Sequence, residues 1–409
     1  MRSRITPLAL LGAVTLTLTL VSCSSSAPES TDDAGATGDG HGAVAGAAEV
    51  AEPQLALTAI SPDGGVSHLD LLDESTTDLG QIGAPSAMTT DGRYLFAETA
   101  EGIDIVDSGV WTWDHVDHFH YYRADPRLVG VVDGAGPTAV ATTNLSTTGG
   151  TGIFFEDSGD AVLLDTEALS KGEVKERFRL EGDPHHGLVV PVGSFALVSV
   201  ADDGVGTKVV GHTSDGEPAG VEAECLNPAG TVATRVGAVI GCEGGALLAS
   251  VEGDQLIIEE IPYPRGTTAP RAMHFDNREG RPTVAALAGD KGIWMLDTRE
   301  RAWTFLPAPT SLVHVTAVDD EDDSTLALAA DGRVLVLDNA GAVIAETEPL
   351  VSDSLAAGAS PTLIADQQRA YLSAPAEKRL YEIDYSDGAR IARTFDTTAE
   401  PMFVAETGR

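Results

Sequence analysis

The stretch WTWDHVDHFHYYR, Trp111 to Arg123, holds three of the chain's ten histidines together with five aromatic residues, in a sequence only 5% aromatic. Imidazole serves as a metal ligand and as a proton carrier. In an extended segment His118 and His120 share one face, and Phe119 and Tyr121 take the other. Two imidazoles facing the same way make half of a metal site. Asp117 and His115 stand close enough to complete it or to orient a ligand from behind. His115 is off the alternation and ranks as a supporting residue. The aromatic residues would pin the segment and keep it dry. A packed aromatic loop whose histidines make ordinary hydrogen bonds is the competing reading.

A second stretch adds to the first. In DPHHGLVVPVG, Asp183 to Gly193, His185 and His186 precede an apolar run that aligns with APSAMTTDG, Ala84 to Gly92. Two imidazoles from the first stretch and one or two from the second would supply three or four nitrogens, which suits tetrahedral Zn²⁺ at about 2.0–2.1 Å per bond. The absence of thiolates and of a carboxylate cage argues against Ca²⁺ and Mg²⁺, while Cu²⁺ would also bind. His274 in PRAMHFD and His314 in SLVHVTAV are second-tier candidates, a lone histidine of this kind being more often a satisfied structural one. His41 sits alone, and nothing singles out His68 or His212. Metal binding needs neutral imidazoles, so affinity should fall in acid.

Signals of enzyme chemistry are scarce. The chain carries no Gly-x-Ser-x-Gly elbow, no P-loop and no His-Glu-x-x-His. We read it as a binding protein rather than an enzyme. A metal-dependent propeller enzyme and a metal-free tethered scaffold are the alternatives. The formal charge of −38 repels nucleic acid and anionic headgroups, which excludes a nucleic-acid role.

The elements that must position these histidines are short. Apolar runs separated by turn residues recur, with ends at Asp107, Asp165, Gly211, Val251, Asp297, Asp338 and Asp384, spaced 58, 46, 40, 46, 41 and 46 residues apart. A period of about 40 to 50 residues with four short strands each predicts a β-propeller. The class is all-β and the domain single, over 54–409. A partial unit, GGVSHLDLLD, is read as sharing a blade with the C-terminal PMFVAE. The count is seven or eight blades, and we take seven. The one oversized interval contains the histidine-rich stretch, which predicts an insertion between two blades, leaning over the mouth ringed by His185 and His186.

Ahead of the domain, Arg2 and Arg4 precede the apolar run Leu8 to Val21, which is shorter than the ~20 residues of a bilayer span and patterned as an export signal. It ends in LVSC, which resembles a bacterial lipobox with Cys23 lipidated. Residues 1–22 are then a signal peptide whose loss of Arg2 and Arg4 takes −38 to −40. Residues 23–53, rich in Ser, Gly, Ala and Asp, form a disordered tether. A diacylated Cys23 would hold the domain on the extracytoplasmic face of the cell membrane. There, Cys225 and Cys242 are expected to pair across a hairpin, free thiols or metal ligation being the alternatives.

DHVDHFHYYRADP and PHHGLVVPVG, with the export signal and the propeller repeat, resemble the bacterial zinc metallochaperones of the AztD type. The resemblance covers the propeller from about Gln54 onward and is sharpest in these two motifs. It implies a protein that binds Zn²⁺ and passes it to the solute-binding protein of a zinc ABC transporter. It also implies ligation by His118 and His120 with a histidine of the 185–186 pair, His186 being favoured. The sequence departs from that family in its tail, where only Asp39 and His41 remain of a histidine- and aspartate-rich segment.

Overall fold

The computed structural model describes residues 42–114 and 118–409. The signal peptide, Cys23, most of the tether, His115 and Asp117 lie outside the described residues. The twofold alternation of the apolar runs produces antiparallel strands, and short turns link them. Asp203 and Gly204, for example, join Phe195–Asp202 to Val205–Thr213 with φ of 50° and 78°, the left-handed pair that a two-residue hairpin turn demands.

The strands gather into eight blade sheets among the described residues. Blade I combines β2 (Ala56–Ile60), β3 (Gly65–Asp70) and β4 (Thr76–Gln81) with the strand Phe403–Thr407 as its innermost member. Blade II holds β5 (Ala87–Thr90), β6 (Tyr94–Thr99), β7 (Gly102–Asp107) and β10 (Arg127–Asp133), from the inside out. Blades III to VIII span 138–180, 189–224, 231–262, 283–307, 312–346 and 363–396. Blade VI has three strands, and the innermost place is taken by Asp276, bridged to Ala285. A β-propeller is thus observed, as expected, but with eight blades rather than seven. The blade shared by GGVSHLDLLD and PMFVAE, as read from the sequence, is blade I, and it stands beside seven further blades, which makes eight.

Eight apolar clusters fill the spaces between neighbouring blades, one for each space. Leu57 and Val404 of blade I meet Tyr371 and Leu380 of blade VIII, and Ile60 and Ala405 meet Leu95 and Val106 of blade II. These two contacts close the ring. Each fully buried Val, Leu or Ile contributes about 1.5–3 kcal/mol, so the ring is held by apolar burial between sheets as much as by the ladders within them.

The innermost strands all run from one face of the ring, here the entry face, to the opposite, exit face. Those of blades II, III and V, with the segments 186–188 and 273–277, line a cavity of about 910 Å³.

Between β7 and β10 the chain leaves blade II to form the hairpin β8 (Val110–Asp114) and β9 (Phe119–Arg123). The insertion expected between two blades therefore lies inside one, between its third and outermost strands. A third strand, β1 (Ala48–Val50), pairs with β9 and completes a small sheet in the order β1-β9-β8. Residues 42–53, read from composition as the end of the tether, thus carry ordered structure.

Candidate metal centre

The small sheet stands on the exit face. Ser108 N–H donates to Arg93 O in the β5–β6 turn, Gly408 N–H to Gly92 O, and Thr112 Oγ1 to Gly408 O at 2.9 Å. Its foundation is a buried ion pair. Arg93 and Asp107 are each 1% exposed, and Arg93 Nε and Nη2 donate to the two Asp107 oxygens at 2.8 and 3.0 Å. The Arg93 guanidinium lies 3.8 Å over the Trp111 ring, a cation–π contact away from water. Trp111 stacks on Tyr122 at 5.2 Å, and Tyr122 is parallel to the His120 ring at 6.4 Å between centroids. Arg123 ties β9 to blade I through Asp70 Oδ2 at 3.0 Å and Gln54 Oε1 at 3.0 Å.

Cross-strand pairing sets Trp111 opposite Tyr122, Trp113 opposite His120 and Glu49 opposite Tyr122. Residues opposite each other project to the same side of a sheet, so Trp111, Trp113, Tyr122, His120 and Glu49 share one face. His118 joins His120, their rings edge to face at 4.9 Å. Phe119 and Tyr121 stack together at 6.4 Å, with Phe119 exposed. The alternation expected from the sequence is the one observed.

His118 Nε2 and His120 Nε2 lie 3.1 Å apart. Two nitrogens bound to one tetrahedral Zn²⁺ at 2.0–2.1 Å stand about 3.3 Å apart, so the pair already spans close to the bite of the ion. Without metal, one of the two nitrogens must carry the proton of a hydrogen bond, and an ion would replace that proton. The other ring nitrogen of His120, Nδ1, lies 2.7 Å from Glu49 Oε1. A carboxylate only accepts, so Nδ1 donates and Nε2 presents its lone pair, the arrangement found behind many metal-bound histidines.

The remaining candidates are elsewhere. His186 is three residues ahead of the innermost strand of blade IV, and its Nδ1 is 2.7 Å from Glu156 Oε2 in a turn of blade III. Both belong to the entry face and line the cavity. The topology therefore puts His186 and the His118–His120 pair on opposite faces, and the expected meeting of the two motifs does not occur. The reason is the place of the insertion: the loop between third and outermost strands emerges where innermost strands end, not where they begin.

His185 is buried, with Nδ1 on Asp183 O at 2.6 Å and Nε2 on Ser199 Oγ at 2.8 Å, which leaves neither nitrogen for a metal. Its ring packs edge to face on Phe154 as a structural group. His314 Nε2 bonds Asp276 Oδ2 at 2.8 Å, and exposed His274 lines the cavity near the entry face. His68 is buried beside Thr58, and burial holds its imidazole toward the neutral form. Among the described residues no group of three or more His, Cys, Asp or Glu side chains is arranged to hold a metal ion.

At the exit end of the cavity, Arg409 Nε donates to Glu279 Oε2 at 2.6 Å and Nη1 to Glu406 Oε2 at 3.1 Å. Burial pushes Glu406 up to about 8 and Asp91, nearby, up to about 7. Cys225 and Cys242 are bonded sulfur to sulfur, with Cα atoms 5.1 Å apart. They close the open end of the hairpin made by Thr231–Ala233 and Ala238–Cys242.

Glu49 and Arg93 escape sequence reasoning. Glu49 lies in a small-residue segment 71 positions from His120, and no spacing rule joins the two. Arg93 looks like an ordinary turn residue in DGRY.

No protein-family profile matches the chain. The zinc chaperone AztD of Citrobacter koseri is 22% identical over 351 residues, covering 82% of this chain and 80% of that protein. Two solved structures of Citrobacter koseri AztD share the fold. The apo form has a TM-score of 0.74 at 19% identity, over 87% of this chain and 98% of its own. A crystal structure has a TM-score of 0.75 at 19% identity, over 88% and 99%. The chain is thus similar to the zinc chaperone AztD in sequence as well as in fold.

Proposed function

We propose that this protein is an extracytoplasmic zinc metallochaperone that takes up Zn²⁺ at His118 and His120 and passes it to the solute-binding protein of a zinc ABC transporter. The observation that carries this reading is the 3.1 Å approach of the two Nε2 atoms with Glu49 behind His120. The similarity to a zinc chaperone supports the choice of cargo.

Two imidazoles leave two positions of a tetrahedral ion for other ligands. Asp117 is a candidate for one, with His115 in a supporting role. An acceptor histidine entering another starts transfer by ligand exchange, with no free ion released. The site suits this, because it stands on a surface sheet on the exit face and is reached from outside. His186 with Glu156 is a separate entry-face pair in this reading and takes no part in the first coordination step.

The lipidated Cys23 anchors the chain on the extracytoplasmic face after removal of residues 1–22, and the Cys225–Cys242 disulfide belongs to the same oxidising compartment. The test mixes zinc-loaded protein with the apo solute-binding protein in the presence of a chelator. Delivery predicts that the acceptor is loaded faster than the chelator strips zinc from the donor alone. Equal loss with and without acceptor would mean storage instead.

A further inference from the structure

The segment 42–50 crosses the same face of the small sheet that carries the histidines. Gly42 O accepts from Trp111 Nε1 at 3.0 Å. Gly42 itself has φ +74°, and a Cβ there would fall 2.5 Å from the Trp113 ring. Only glycine permits this approach. The segment then forms the three-residue edge strand β1, pairing Ala48 with Arg123, Glu49 with Tyr122 and Val50 with Tyr121. That register sets Glu49 diagonal to His120, close enough for its carboxylate to meet Nδ1 at 2.7 Å.

Resting on the zinc reading of His118 and His120, we infer that Glu49 is a positioning residue for the metal, and that the segment 42–50 is a strap that completes the site when it docks. Glu49 fixes the tautomer and ring orientation of His120, so that Nε2 faces the ion. Partners of this kind change metal affinity by about 10- to 100-fold when removed. Glu49 is held by only three paired residues at a sheet edge and is itself 58% exposed. Edge strands offer unpaired groups to another chain. Displacement of β1 by an acceptor would therefore withdraw Glu49 and loosen zinc at the moment of transfer, whereas in the docked state the ion is retained.

The experiment uses the full chain and measures zinc affinity by chelator competition, with the absorption spectrum of a Co²⁺-loaded sample as a second readout. Four variants are compared: Glu49→Ala, Glu49→Gln, Gly42→Val and the pair Glu49→Ala with Gly42→Val. Glu49→Ala should weaken zinc binding about 10- to 100-fold and shift the Co²⁺ bands. Glu49→Gln keeps an acceptor oxygen for Nδ1 and should lie between wild type and Ala. Gly42→Val touches neither Glu49 nor a histidine, yet should weaken zinc by lifting the strap off Trp113. The double variant should be no weaker than the worse single one, because both act through one contact. Wild-type affinity and an unchanged Co²⁺ spectrum in Glu49→Ala would overturn the inference while leaving the zinc site standing. Full additivity in the double variant would refute the strap. If His118→Ala with His120→Ala retains zinc, the underlying reading of the site falls instead.

Discussion

His118 and His120 hold their Nε2 atoms 3.1 Å apart on one face of a three-stranded sheet that is not part of any blade. The sheet belongs to the exit face, footed on Arg93 and Asp107 and tied to Gly408. A ligand pair built on an inserted sheet, rather than on a blade, can adjust without disturbing the ring.

Because His186 stands on the opposite face, His186→Ala should leave zinc affinity at the histidine pair within about twofold of wild type. His118→Ala or His120→Ala alone should each weaken binding by 100-fold or more, taking about 3 kcal/mol as the worth of one lost ligand, since each 1.4 kcal/mol is tenfold. Chelator competition on the three proteins separates these outcomes.

His185 should behave oppositely. Its nitrogens serve Asp183 and Ser199 in the interior, so His185→Ala should lower stability by about 1–3 kcal/mol, the range for an unmade buried hydrogen bond, without changing zinc affinity. Urea titration together with metal competition checks both parts.

Arg93→Ala strips Asp107 of its bidentate partner inside the protein, leaving Arg127 at 3.4 Å from Oδ2 and the Gly109 N–H at 3.0 Å from Oδ1. The expected loss is about 3–5 kcal/mol of stability. Since Trp111 also loses the cation above it, the Trp111–Tyr122–His120 stack should loosen, with a change in tryptophan fluorescence at denaturant concentrations too low to unfold the ring.

Glu406 is wholly buried and takes up its proton near pH 8 in the folded state, against about 4.3 in the unfolded chain. Between those values the folded protein binds more protons than the unfolded one. This contribution to stability is therefore full below about pH 4 and is lost as pH rises through about 8. Asp91, raised to about 7, acts in the same direction. Glu406→Gln should flatten the decline in denaturation midpoint between pH 5 and 8 relative to wild type. Parallel curves for the two proteins would contradict the assignment.

The propeller and the orientation of the histidine pair were legible in the sequence because both follow from local periodicity. Strand alternation alone puts His118 and His120 on one face, and recurrence of strand groups gives the blades. What was hidden depends on contacts far apart in the chain. Glu49 reaches His120 only because β1 docks on β9. The convergence of His186 with the loop was expected from an insertion between blades. Placing the insertion one strand earlier sends it to the other face.

Whether His118 and His120 hold zinc is decided by metal analysis of the purified protein. Elemental analysis after exhaustive dialysis, on wild type and on His118→Ala with His120→Ala, should give near-stoichiometric zinc in the first and a loss of that zinc in the second, with circular dichroism unchanged. Zinc retained in the double variant, or no tightly held zinc in the wild type, would contradict the account.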